Sequence, residues 1–437
     1  MNSFLPSEIQ KYLDKFATSK WSFYSTKNQK YKTVVVIPAL FEFENIKELV
    51  KSLSENDETY FSETLILFVV NNLKSSSEDV KNDNKNSLEY LKKLSHKSIV
   101  GINSKLNFDV IDASSDNFEL DEKDGGVGLA RKIGMDLSLT LFDYESKSQN
   151  IIVCLDADCT VKSNYLTTIR NNFNQNSINA GYVNFLHSSN NLLENETAII
   201  NYEIFLRYYV LGLKYANSPY AYHSIGSTMI CNAESYVKVQ GMNKRKAAED
   251  FYFMEKLSKI TQIIKIDGTA VFPSSRGSWR VPFGTGQRVN RFLGNTQNEY
   301  LLYSPKSFTV LKKWINIFFS TEILNAEMYL QEAKMINSSL FNFLVDNNFQ
   351  NNWNKITQNS SSQKQIQKQK QIWFDGFKTL KLIHFLRDVE FPQINMFNAL
   401  DELFEEMQIP FNYKNTQNGI PNLEIQKDYL NKLREIA

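Results

Sequence analysis

The sequence predicts an α/β domain built on a doubly wound, mostly parallel sheet, followed by a helical C-terminal extension. Three observations carry this reading. Unbroken apolar runs at Thr33–Ala39, Thr64–Val70 and Ile151–Leu155 have the character of strands buried on both faces. Helical patterns alternate with them, as a doubly wound sheet requires. From about residue 300 the strand signals stop, and Leu311, Trp314, Ile315 and Phe318, then Ile323, Met328 and Leu330, fall at helical spacing. The expected division is therefore 1–300 for the α/β domain, with an N-terminal helix over 1–30, and 301–437 for a helical lobe.

Composition narrows the function classes. The chain has 437 residues, 42% hydrophobic and 22% charged, which describes an ordinary globular protein long enough for two domains. A net charge of +1 gives no basic field for nucleic acid. Three cysteines supply neither a disulfide framework nor a zinc pattern, which suits a reducing, cytoplasmic setting. Glu8, Lys11 and Asp14 interrupt any secretory core at the N-terminus, where Ile9, Tyr12, Leu13 and Phe16 share a helical face instead. No window approaches the ~18 apolar residues of a membrane span.

In chain order, the first strand ends at Pro38-Ala39, and Glu42, Glu44 and Asn45 lead into a helix through Ile46, Leu49, Val50 and Leu53. The second strand closes on Asn71 and Asn72. The polar stretch Lys74 to Asn86 reads as an exposed loop or insertion, and Phe108 to Asp112 as a further strand. Gly125-Gly126-Val127-Gly128 then opens a helix carrying Arg131. Acidic residues rather than a strand precede these glycines and the third fingerprint glycine is missing, which argues against a dinucleotide site. The helix start could still meet a phosphate. Tyr202, Phe205, Tyr208 and Tyr209 suit an amphipathic helix packed on the sheet. Thr357 to Gln371 reads as a polar connector or solvated helix.

The strand at Ile151 delivers Asp156 and Asp158 to the carboxyl edge of the sheet, where open α/β sheets bind ligands. Two carboxylates so close repel unless a cation lies between them. Oxygen ligands of this kind suit Mg2+ or Mn2+, with a diphosphate completing the shell. A solvated turn after a core strand is the plain alternative.

These pieces, in this order over residues 33–253, resemble the family 2 glycosyltransferases of GT-A fold. Pro38-Ala39-Leu40-Phe41-Glu42 stands where that family has P-A-Y-N-E, and Asn71-Asn72 where it often has D-D or D-N. Gly128-Leu129-Ala130-Arg131-Lys132 resembles its G-x-A-R-N segment, and Asp156-Ala157-Asp158 its metal-binding D-x-D. Gly226-Ser227, then Tyr236, Gly241 and Glu249-Asp250, resemble the acceptor-side strand and the E-D motif. Leu40, Phe41 and the two neutral asparagines depart from the family pattern.

The resemblance implies a hexosyltransferase-like, metal-dependent enzyme. A UDP- or GDP-sugar would be its donor, and a carbohydrate or other hydroxyl compound its acceptor. Asp250 would be the general base and Glu249 its orienting neighbour. Asp158, with Asp156, would hold Mn2+ or Mg2+. Pro38, Ala39, Glu42, Asn71, Asn72, Gly128, Arg131 and Asp156 would meet the nucleotide-sugar. Arg276 and Arg280, in a glycine- and serine-rich stretch, are further expected to bind phosphate oxygens, because guanidinium matches them bidentately. The simplest reaction is inverting. A retaining transferase on the same fold, or a catalytically silent nucleotide-sugar-binding scaffold, remains open at this level.

Overall fold

Seven consecutive buried residues, rich in β-branched valine and isoleucine, make β1 (Thr33–Ala39) the centre of the sheet. The structure, a computed structural model, describes residues 5–17, 19–25, 29–187, 193–275, 285–294, 296–415 and 419–437. The chain divides into two units, one of Met1–Ser188 with Ser224–Ser274, the other of Ser189–His223 with Gly284–Ala437, apart from short strips at 275–283. The helical unit thus draws in a segment that lies far before residue 300, so the two units are interleaved in sequence.

The first unit contains α1 (Ser7–Phe16), β1, α2 (Phe43–Ser54), β2 (Thr64–Asn71), α3 (Glu78–Ser95), β3 (Asn107–Ala113) and α4 (Val127–Ser138). It continues with β4 (Ile151–Cys154), β5 (Cys159–Val161), α5 (Tyr165–Asn176) and β6 (Ala180–Phe185). After α6 (Leu193–Tyr215), which belongs to the other unit, come β7 (Met229–Asn232), α7 (Ala233–Lys238), α8 (Glu249–Ser258) and β8 (Ile263–Pro273). The eight strands lie in the order β3-β2-β1-β4-β7-β6-β8-β5. The pairs β3–β2, β2–β1, β1–β4 and β6–β8 are parallel, whereas β7 and β5 run antiparallel to their neighbours. Pro38 follows the last β1–β4 pair, Val36 with Cys154, so its missing N–H breaks no ladder bond to β4.

Two expectations are corrected here. The N-terminal helix stops at Phe16, because Ala17 is extended and the chain then runs beside β3, with Tyr24 N–H donating to the Val110 carbonyl at 2.9 Å. The stretch from Lys74 to Asn86 is exposed apart from a few side chains, Asn84 being buried, but it is not a loop throughout, since α3 starts at Glu78. Leu88, Leu91 and Leu94 supply its core face, and the small polar side chains of Asn84 and Ser87 extend that face without looking apolar in sequence.

The second unit contains α6, α9 (Thr285–Leu293), α10 (Pro305–Phe318), α11 (Ala326–Ile336), α12 (Ser338–Asp346) and α13 (Phe349–Asn359). It ends with α14 (Gln363–Trp373), α15 (Gly376–Val389), α16 (Met396–Glu406) and α17 (Leu423–Ile436). The aromatic helix α6 packs within this unit rather than serving the sheet. Tyr208 lies edge-on to Phe308 at 5.8 Å and donates to the Tyr303 carbonyl at 2.6 Å. Within the stretch read as a polar connector, α14 buries Lys370 completely. Its ammonium donates to the Ser320 and Glu322 carbonyls at 3.0 Å, and burial pushes its pKa down to about 8. No helix of the described residues is long and apolar enough to cross a membrane.

Trp314 centres this core, fully buried against Phe318, Tyr329, Phe349 and Phe374, yet its indole N–H has no hydrogen-bond partner. Trp314→Ala should therefore lower stability by ~3–5 kcal/mol in chemical unfolding. Trp314→Phe should lose less than ~1.5 kcal/mol, because it also removes an unsatisfied donor. Equal losses in the two variants would refute this account of the site.

Candidate functional site

Parallel pairing aligns the carboxyl ends of β1, β2, β3 and β4 along one edge. Asp156 lies two residues beyond β4 on that edge. β7 returns antiparallel beside β4, with Val153 opposite Ile230, so the residues just before β7 come back next to Asp156. α8 opens with Glu249 and Asp250 after Ala248 turns the chain in the left-handed region (φ 57°). These acids are far apart in sequence, and one buried side chain joins them. From α4, the Arg131 guanidinium donates through Nη2 to Asp156 and through Nη1 to Glu249. Arg131 is 2% exposed and Glu249 4%. Gly226 makes this possible, for a Cβ there would lie 2.7 Å from Arg131 Cζ and 2.8 Å from its Nη1.

The electrostatics follow from this packing. Burial raises the Glu249 carboxyl, and Arg131 pulls against that rise. Asp250 carries no such clamp. Burial first, then the Glu249 charge, push its pKa up to about 7, and its Oδ1 accepts the Phe251 N–H at 2.7 Å. Asp158 accepts a weak Sγ contact from Cys159 at 3.9 Å, and burial beside that carboxylate raises the Cys159 thiol. Burial likewise pushes Cys154 up to about 12. Such thiols are packing groups rather than nucleophiles at neutral pH.

Among the described residues no cluster of three or more His, Cys, Asp and Glu side chains could hold a metal. One oxygen of Asp156 is engaged by Arg131, and Asp156 and Asp158 together are the carboxylates at this strand end. That donor set fits Mg2+ or Mn2+ bound in the mode in which one or two carboxylates act and phosphate oxygens and water complete the shell.

Several residues expected to meet the nucleotide-sugar have partners within the protein. Arg131 is not presented to a phosphate, because two carboxylates already hold it and it is buried. Gly128 is a close-approach residue. A Cβ there would lie 2.9 Å from the Asn243 carbonyl oxygen, which binds the start of α4 to the loop before α8. Asn71 donates to the Ala39 and Val69 carbonyls at 3.0 and 3.1 Å, and Asn72 to Leu73 at 3.1 Å. Both are buried, so their amide N–H groups serve the fold. Glu42 turns towards its own helix and accepts from Asn45 Nδ2. Pro38 and Ala39 lie buried within β1. Arg276 and Arg280 fall outside the described residues.

Two residues emerge that the sequence did not mark. Asn84 accepts the Phe41 N–H at 3.1 Å and donates to Asn71 O at 3.0 Å and Asn72 Oδ1 at 2.8 Å, so it ties the ends of β1 and β2 together. Asn243 donates to the Glu249 carbonyl at 2.9 Å and accepts the Arg245 N–H at 3.1 Å, which fixes the approach to α8. Asparagines in polar stretches carry no periodic signal, so neither stood out.

No protein-family model matches the chain, and no curated protein matches it. Among solved structures it is similar to S. aureus TarS 1-349 in complex with UDP-GlcNAc, at 14% identity over 70% of this chain and 71% of that one, with a TM-score of 0.38. TarS 1-349 in complex with UDP is similar at 13% identity over 92% and 89%, also with a TM-score of 0.38. The mannosyltransferase PcManGT from Pyrobaculum calidifontis, in complex with GDP-Man and Mn2+, is similar at 13% identity over 76% and 75%, with a TM-score of 0.36. At that level of likeness neither residue roles nor substrates pass to this chain.

Removing the cation from the buried triad leaves Glu249 without its counter-charge. Arg131→Met should cost ~3–5 kcal/mol in urea unfolding, the range for breaking a buried pair. Arg131→Lys should recover only part, since an ammonium cannot fork to two carboxylates. Gly226→Ala should cost ~1–3 kcal/mol by overpacking against the guanidinium. A Gly226→Ala variant as stable as the parent would refute this close approach.

Proposed function

We propose that the α/β unit is a divalent-metal-dependent glycosyltransferase of the family 2 type, which moves a sugar from a nucleotide-diphosphate-sugar to a hydroxyl acceptor with inversion. The observation that carries this reading is the pairing of unlike acids at one sheet edge. Asp156 and Asp158 stand just beyond the end of β4, and Arg131 links Asp156 to Glu249, the neighbour of Asp250, whose carboxyl is pushed up to about 7. A base of that pKa suits general-base catalysis at physiological pH. The site is argued from these residues and not from fold likeness.

In this reading Asp250 takes the acceptor hydroxyl proton as that oxygen attacks the anomeric carbon. The bond from that carbon to the diphosphate breaks, and the nucleoside diphosphate departs with the bonding electrons. Glu249 is held by Arg131, so it fixes the start of α8 and keeps the Asp250 carboxyl in place. Asp158 and the second oxygen of Asp156 would hold Mg2+ or Mn2+, which when bound offsets the charge of the leaving diphosphate. Arg276 and Arg280 are proposed as further diphosphate ligands. They follow Pro273, which pairs with Cys159 next to Asp158. The three cysteines are free and buried, which supports the assignment to a reducing cytoplasm.

Asp250→Asn should lower turnover by at least ~10²-fold, the effect of a lost general base, whereas a retaining enzyme would keep most activity. In the parent, activity should rise with pH through about 7 as Asp250 ionises. Stability should move the other way. A carboxyl raised in the folded state contributes stability that is full below its unfolded value near ~3.9 and lost as pH rises through about 7. Asp250→Asn should therefore unfold ~1–3 kcal/mol later than the parent at pH 8 and show no gain at pH 4. A variant that loses both activity and stability at pH 8 would count against this assignment.

Donor and metal are tested together by thermal unfolding with UDP, GDP and other nucleoside diphosphates, with and without Mn2+. At a hundred times its dissociation constant one nucleotide should add ~2.7 kcal/mol in the presence of Mn2+, and Asp158→Ala should abolish that gain. No shift with any nucleotide would favour the silent-scaffold reading.

A further inference from the structure

The edge of the sheet opposite Asp156 carries a second concavity. A cleft of about 430 Å³ opens where β4 begins and β7 ends. Tyr144, Ser146 to Asn150, Asn179, Asn232, Ser235 and Thr261 are among its lining residues. Nearly all of these are amides and hydroxyls. Small-molecule sites for drug-like ligands are mostly apolar, so this lining is unsuited to an apolar guest and matched to one rich in hydroxyls.

Its amides are fixed rather than loose. Asn232 Nδ2 donates to Gln149 Oε1 at 3.1 Å and Asn179 Oδ1 at 3.0 Å, while its Oδ1 accepts the Ser235 N–H at 2.9 Å. Asn179 Nδ2 in turn donates to Thr261 Oγ1 at 3.4 Å. Asn150 is 3% exposed and donates through Nδ2 to the Asp143 carbonyl at 3.2 Å, yet its Oδ1 accepts no hydrogen bond. Fixed amides offer paired donors and acceptors at defined spacing, which is what vicinal hydroxyl groups require.

We propose that this cleft is a carbohydrate-binding site, distinct from the carboxylate site and taking a neutral mono- or disaccharide unit. Asn150 precedes β4 and Asp156 lies two residues beyond it, so the two residues stand at opposite ends of that strand, at most ~20 Å apart along the chain at 3.3 Å per residue. The rim cations Lys147 and Lys238 and the anion Glu234 leave little net charge, which favours a neutral saccharide over a phosphate.

Saturation-transfer NMR on the full chain, with maltose, cellobiose, chitobiose and inorganic phosphate as separate probes, tests this. At least one disaccharide should bind, and its affinity should fall about fivefold in Gln149→Ala or Asn179→Ala, the effect of one lost hydrogen bond. Ser148→Trp, which fills the cleft from its rim, should abolish the signal. Asp158→Ala should leave it unchanged, so a failure here is separable from a failure of the transferase reading. Binding of phosphate alone, no binding of any saccharide, or binding that survives Ser148→Trp would each overturn the proposal.

Discussion

The candidate site depends on one buried guanidinium. Arg131 reaches from α4 to Asp156 beyond β4 and to Glu249 at the start of α8, three elements that no backbone pairing joins. An isolated buried arginine or glutamate would be expensive to hold, and replacing such a cluster by apolar residues is often neutral or stabilising. Its presence is therefore better explained by what it positions than by what it adds to stability. The guanidinium is planar and forked, so it fixes the direction of two carboxylates at once, which a lysine could not do.

The neighbouring features follow from accommodating that side chain. Gly226 lacks a Cβ where the guanidinium passes. Gly128 lets the first turn of α4 press on the loop from Asn243 to Arg245, and Asn243 fastens the same loop to the Glu249 carbonyl. The glycines that resemble a phosphate-binding turn thus serve close packing of backbone on backbone. Asp250 is left as the acid next to the clamp but outside it. Its raised pKa comes from the burial and the Glu249 charge that the clamp imposes.

Much of this could be read from the sequence, and the reasons differ by element. β1, β2 and β4 are buried on both faces, so their residues form continuous apolar runs whose ends mark the ligand edge. Asp156 and Asp158 were legible because they interrupt such a run. Short β5 and irregular β6, with a register shift between Val183 and Asn184, left no comparable trace. α3 was hidden because its buried face includes Asn84 and Ser87, and composition counts these as surface residues. α6 was legible as a helix but not in its packing, because its partners Tyr303 and Phe308 lie about a hundred residues later in sequence.

The site residues show the same limit more sharply. A motif states which side chains are near a strand end, not which way they face. Asn71 and Asn72 occupy a position suited to reading a base, yet their amide N–H groups donate to the Ala39, Val69 and Leu73 carbonyls and so are engaged within the fold. Arg131 shows a similar competition. A guanidinium near a helix start is free for phosphate only when no carboxylate claims it, and here the buried Glu249 and the half-buried Asp156 both do. Satisfying buried polar groups comes first in the fold, so the amides and the guanidinium are engaged within the protein, while Asp156, Asp158 and the Asp250 carboxyl, pushed up to about 7, stand at the candidate site. Those acids combine acceptor oxygens for a cation with a base of suitable pKa on one edge of one sheet.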